Sequence, residues 1–148
     1  MPRPIELIAV VDAAPEAVWR ELADVGRHSE WMADAESITF TSSQHRGVGT
    51  TFDSVTKVGP FRTVDRMEVT QWEDGVSLGV RHVGLVQGEG VFTLAALDEG
   101  RRTRLAWTED LRFPWHVGGP VTAWLARPVL RRIWRGNLSR LAALVTSP

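Results

Sequence analysis

The chain predicts an α+β fold, in which a curved antiparallel sheet of seven strands wraps around a long C-terminal helix. Three observations predict it. The chain opens on a strand pattern followed by two short helical patterns, and from Ala35 onward strands alternate with turn signals. The stretch from Val117 to Val145 is then the longest helical pattern in the sequence. With 148 residues, 43% of them hydrophobic and 24% charged, residues 1–148 are expected to form a single domain.

Ile5 to Val11 is rich in branched residues and ends at Asp12, as a strand does. Pro15 suits a first helical turn, and Val18, Trp19, Leu22 and Val25 recur at helical spacing until Gly26. The segment GRHSEWM predicts a second short helix that turns Trp31 and Met32 inward. Turn signals at Gly47 to Gly49, Gly59-Pro60, Asp74-Gly75, Gly84 to Gly88 and Glu99-Gly100 divide the remainder into six strands. The final helix begins after Gly118-Gly119. Pro128 interrupts it, predicting a kink or two helices in tandem, because proline donates no hydrogen bond to the preceding turn. Val121, Trp124, Leu125, Val129, Ile133, Leu138, Leu141 and Val145 are read as its apolar stripe.

The turns fix a register. A two-residue turn at Asp74-Gly75 sets Val69 opposite Val80 and Met67 opposite His82; Gly59-Pro60 sets Phe52 opposite Met67 and Ser54 opposite Asp65. Glu99-Gly100 sets Leu94 opposite Leu105, Phe92 opposite Trp107 and Gly90 opposite Glu109. Parity in the remaining hairpin favours His82 beside Gly90. One inner row then reads Phe52, Met67, His82, Gly90, Glu109, with His82 and Glu109 about 10 Å apart at the backbone and only a glycine between them.

Composition narrows the function classes. A net charge of −1 argues against a nucleic-acid partner, and the absence of cysteine removes thiolate chemistry and cysteine metal sites while fitting a reducing cytoplasm. The four histidines, His28, His45, His82 and His116, are scattered, so no metal is expected; GxSxG, Walker A and dinucleotide glycine spacings are absent, and no cofactor is implied. No stretch approaches the roughly 20 apolar residues of a membrane span, and the start lacks the flanks of a signal peptide, so a cytoplasmic location is expected. Arg127, Arg131, Arg132, Arg135 and Arg140 occupy much of the last helix. A solvated face is favoured there over peripheral membrane contact, since no cluster of exposed aromatics is legible beside them.

The segments IELIAVVDAAPEAVWRELADVGRHSEWM, GVGTTF, RTVDRMEVTQWEDG, RRTRLAWTEDL and LRRIWRGNLSRLAALV resemble the START and Bet v 1 related superfamily (SRPBCC), in particular its polyketide cyclase/dehydrase-like branch. The resemblance covers nearly the whole chain and implies the helix-grip fold. It also implies a cavity between sheet and C-terminal helix. Members bind lipids, polyketides, plant hormones or other hydrophobic molecules there; some are aromatase/cyclases and some bind protein partners.

The expected function is therefore binding of a small hydrophobic, lipid-like or polyketide-like ligand. The predicted lining is Trp31, Phe52, Met67, Val69, Val80, His82, Phe92, Leu94, Leu105, Trp107, Glu109, Trp124 and Leu125. His82 and Glu109 are the candidate acid and base if the chain is a cyclase or dehydratase, although no tyrosine exists to supply a hydroxyl. A satisfied internal hydrogen bond between them is the plainer reading. A third reading is an interaction module whose cavity is filled by its own side chains. Oligomeric state is not legible.

Overall fold

The computed structural model describes residues 4–146. β1 (Ile5–Val11) leads into α1 (Pro15–Ala23) and a 3-10 turn (Val25–Glu30). β2 (Ala35–Phe40), β3 (Thr51–Val58), β4 (Phe61–Glu73), β5 (Ser77–Val83), β6 (Gln87–Leu97) and β7 (Arg102–Arg112) follow, and α2 (Gly119–Thr146) closes the chain after a 3-10 turn (Trp115–Val117). The strands form one sheet in the order β1-β7-β6-β5-β4-β3-β2, antiparallel throughout. The helix-grip arrangement read from the sequence is the observed one.

Three hairpins keep the expected partners: Phe52 with Met67, Val69 with Val80, Met67 with His82, Phe92 with Trp107 and Gly90 with Glu109. The Asp74-Gly75 turn reaches that result differently, because Glu73 pairs with Ser77 across a three-residue loop and a bulge between Val69 and Gln71 restores the register. The hairpin after β5 departs from expectation. Val83 pairs with Gln87, so the loop is Gly84 to Val86, and His82 lies opposite Gly88 rather than Gly90. The slip is of two residues, so His82 keeps its face.

The helices depart further. α1 ends at Ala23, and Gly26 lies inside the 3-10 turn instead of ending a helix. α2 is one helix that runs through Pro128, not two in tandem. Its expected stripe does not exist as one face, since Val121 and Leu141 are separated by about 200° of rotation at 100° per residue. The buried positions are Ala123, Trp134, Asn137, Leu138 and Leu141. Trp124 and Leu125, expected to line a cavity, are 71% and 61% exposed and point away from the sheet.

The C-terminal half of α2 is locked by polar contacts as well as by packing. Asn137, fully buried, accepts from the Ala33 backbone N–H (2.9 Å) and donates to Asp34 (2.8 Å), while Trp134 Nε1 donates to the other Asp34 oxygen (3.2 Å). Arg140 donates to the Trp31 carbonyl at 3.0 Å. These bonds tie the helix to the loop between α1 and β2, and every buried polar atom of Asn137 that they satisfy would otherwise be a penalty.

His28 gives the fold a pH dependence. It is buried against Trp31, with ring centroids 4.9 Å apart, and Nε2 donates to the Leu22 carbonyl at 2.7 Å. Burial pushes its pKa down to about 4, against the carbonyl bond and the charge of Asp24. The unfolded chain binds the proton below pH 6.5 and the folded chain only near pH 4, so stability falls as pH drops through that window, by about 3 kcal/mol in full. In His28→Gln the slope of melting temperature against pH between 6.5 and 4 should flatten; an unchanged slope would assign the acid sensitivity elsewhere.

Candidate functional site

The inner wall of the sheet is largely apolar, and its titratable side chains lie close together. β5 presents His82, β7 presents Glu109 and Trp107, and β4 presents Asp65. Glu109 is 5% exposed and His82 8%. Glycine makes their meeting possible: a Cβ on Gly90 would stand 1.8 Å from Glu109 Oε2, so the carboxylate lies across the space that a side chain would fill. His82 Nε2 is 2.5 Å from Glu109 Oε1, and Trp107 Nε1 donates to Oε2 at 3.0 Å. Asp65 accepts from Thr56 Oγ1 at 2.7 Å.

Burial pulls the His82 imidazole toward the neutral form. The hydrogen bond to Glu109, the charge of Glu109 and the charge of Asp65 outweigh it and hold the pKa above 6.5. Nε2–H donates this hydrogen bond and Glu109 Oε1 accepts it. The other nitrogen, Nδ1, is buried and has no hydrogen-bond partner. As imidazolium it is a donor, and as neutral imidazole an acceptor.

Around this group the space is largely filled. Trp31, Phe92, Trp107 and Trp134 form a continuous aromatic column, with centroid separations of 6.1, 4.7 and 5.1 Å. Trp134, absent from the predicted lining, crosses from α2 to cover Trp107. Phe52, Val69, Leu94 and Leu105 are buried in the same core, and Met67 and Val80 pack against it. The void left between helix and sheet measures about 20 Å³, room for about one water. It is lined by Ile5, Glu109, Leu111, Phe113, Ala123, Arg127 and Leu130.

Of the residues predicted to line a cavity, only Glu109 touches this void. The apolar sheet residues among them face inward and pack in the core. Ala123 and Leu130 were missed because the helix phase was set by the large side chains Trp124 and Leu125, whereas the faces that meet the sheet carry a small residue and a leucine. A larger hollow of about 330 Å³ is lined by Thr41, Thr51, Phe52, Asp53, Arg66, Met67, Glu68 and Val83. Phe52 and Met67, both predicted to line a cavity, lie in it, but it is an open hollow on the β3–β4 side of the sheet and none of its lining residues belongs to α2. Among the described residues no three His, Asp or Glu side chains are grouped to hold a metal ion, and no helix is long and apolar enough to cross a membrane.

The same architecture occurs in solved structures of low sequence identity. The TTHA0849 protein of Thermus thermophilus is 18% identical, with a TM-score of 0.76 over 97% of each chain. The Zhui aromatase/cyclase of Streptomyces sp. R1128 is 18% identical, with a TM-score of 0.78 over 97% of this chain and 93% of that one. The hypothetical protein jhp0584 of Helicobacter pylori is 16% identical, with a TM-score of 0.76 over 96% of this chain and 87% of that one. No curated protein matches the chain. At such identities structural likeness shows the fold alone, but the sequence profile described as "Polyketide cyclase / dehydrase and lipid transport" matches residues 5–146, nearly the whole chain from β1 to the end of α2, and the protein belongs to that family.

Proposed function

We propose that the chain binds a small hydrophobic molecule between the N-terminal half of α2 and the β1–β7 side of the sheet, with Glu109 and His82 orienting its polar end. The observation that carries this reading is a buried charged pair of which one member, Glu109, lines the void under the helix, while the other, His82, keeps a buried Nδ1 without a partner. A buried ion pair is a poor device for stability alone. Its value here is recognition: a ligand carbonyl would satisfy Nδ1–H, and apolar contact would supply the affinity.

A void of about 20 Å³ cannot hold such a molecule, for which about 300 Å³ or more is usual, so the helix has to move. The C-terminal half is clamped through Asp34, Asn137, Trp134 and Arg140. Pro128 removes one backbone bond of the helix, so the segment before it is the part that lifts. Native mass spectrometry of the purified protein is expected to reveal a co-purified hydrophobic compound. Removal of that compound is expected to speed hydrogen exchange at Val121 to Leu125; unchanged exchange there would end the lifting-helix idea.

A second reading, an interaction module with a filled core, is favoured by the aromatic column from Trp31 to Trp134. It predicts no co-purified compound and no binding of a fluorescent fatty acid. The likeness to an aromatase/cyclase carries no turnover to this chain. If turnover exists, His82→Ala and Glu109→Gln should each abolish it.

A further inference from the structure

We infer that the outward face of the first three turns of α2, together with the turn before it, is a docking surface for an anionic lipid membrane. The outward face of a surface helix is ordinarily polar. Here it is inverted. Val121, Trp124, Leu125 and Val129 are 63%, 71%, 61% and 50% exposed, and Trp115 in the preceding turn is 87% exposed. The helical residues recur at intervals of three and four, so they share one arc, opposite Ala123 and Leu130, which meet the sheet.

The same arc continues one turn further with Arg132 and Arg135, both exposed. Residues 111–148 hold six of the 17 basic residues of the chain and none of its 18 acidic ones. A near-neutral protein is thus strongly polarised, with its basic end carrying the exposed tryptophans. Tryptophan and leucine on one face beside arginine suit the boundary between lipid headgroups and acyl chains, where aromatic rings sit at headgroup depth and arginine meets phosphate.

Charge decides between possible occupants. A second copy meeting face to face would set arginines against arginines with no carboxylate in the segment to relieve them. A nucleic-acid strand would match the charge and stack on Trp115 and Trp124, but it would leave the aliphatic Val121, Leu125 and Val129 beside its phosphates, whereas a membrane buries them. The surface lies on the side of α2 opposite Ala123 and Leu130, which line the void.

Flotation of the full chain with vesicles of pure phosphatidylcholine, and with a roughly two-to-one mixture of phosphatidylcholine and phosphatidylglycerol, tests the inference. Binding to the anionic vesicles is expected, weakened by salt. Trp115→Ser and Trp124→Ser should each reduce partitioning about tenfold or more, and Arg132→Gln about fivefold. All three side chains are exposed, so a melting temperature equal to the parent's is expected, and Leu125→Gln serves as a second probe if one variant fails to fold. The inference is overturned by no flotation, by equal flotation with neutral vesicles, by unchanged partitioning of both tryptophan variants, or by a dimer in sedimentation equilibrium that Trp124→Ser dissolves.

Discussion

His82→Leu is expected to destabilise the fold by about 3–5 kcal/mol, which in a chain of this size lowers the melting temperature by roughly 10 °C. The substitution leaves Glu109 buried with only the Trp107 indole N–H as a partner. The reciprocal change, Glu109→Leu, should cost less, because an unpaired imidazole can discharge by releasing its proton. Replacing both residues with leucine should fall below the sum of the single effects, since neither charge then remains to be desolvated.

Glu109→Gln separates charge from shape. It retains a hydrogen-bond partner for His82 but removes the charge that opposes burial, so the imidazole pKa should fall from above 6.5 toward or below it. The parent pair contributes stability that is fully present below pH 6.5 and is lost as pH rises through the raised His82 value; in Glu109→Gln this loss should vanish. Titration of the His82 ring protons by NMR checks both statements. An unchanged midpoint would mean that Glu109 does not hold the imidazolium, and the recognition role proposed for Nδ1 would go with it.

That pair was legible in the sequence because strand parity is robust. A side-chain period of two survives the three-residue loop before Ser77, which a bulge offsets, and survives the two-residue slip that puts His82 opposite Gly88. Helix phase has no such protection. Over 28 residues nearly every direction around α2 carries an apolar residue, so size does not separate Trp124 and Leu125, which face outward, from Ala123 and Trp134, which face the sheet. The same misreading hid the exposed aromatics beside the arginines. The size of the void was not legible either, because it depends on whether Trp134 of α2 reaches Trp107 of β7, which is a matter of how the helix packs on the sheet.

The glycines of β6 supply the second large effect, and the two positions should fail differently. At Gly88 the backbone sits at φ +133, and a Cβ would stand 1.7 Å from the Asp110 carbonyl oxygen, a backbone atom in the paired strand that cannot swing away. Gly88→Ala is therefore expected to cost about 3 kcal/mol or more, through both strain and parting of β6 from β7. At Gly90 no unusual φ is required, and the obstacle is the carboxylate end of Glu109, which can rotate out of the way. Gly90→Ala should therefore cost less in melting temperature than Gly88→Ala, yet it alone should displace the carboxylate from His82 and lower the imidazole pKa much as Glu109→Gln does. Thermal melts and the His82 titration of the two variants decide the matter. If Gly90→Ala leaves the titration unchanged, Glu109 reaches His82 by a path that does not cross the glycine, and the reason for a glycine at that position would have to be sought in strand pairing instead.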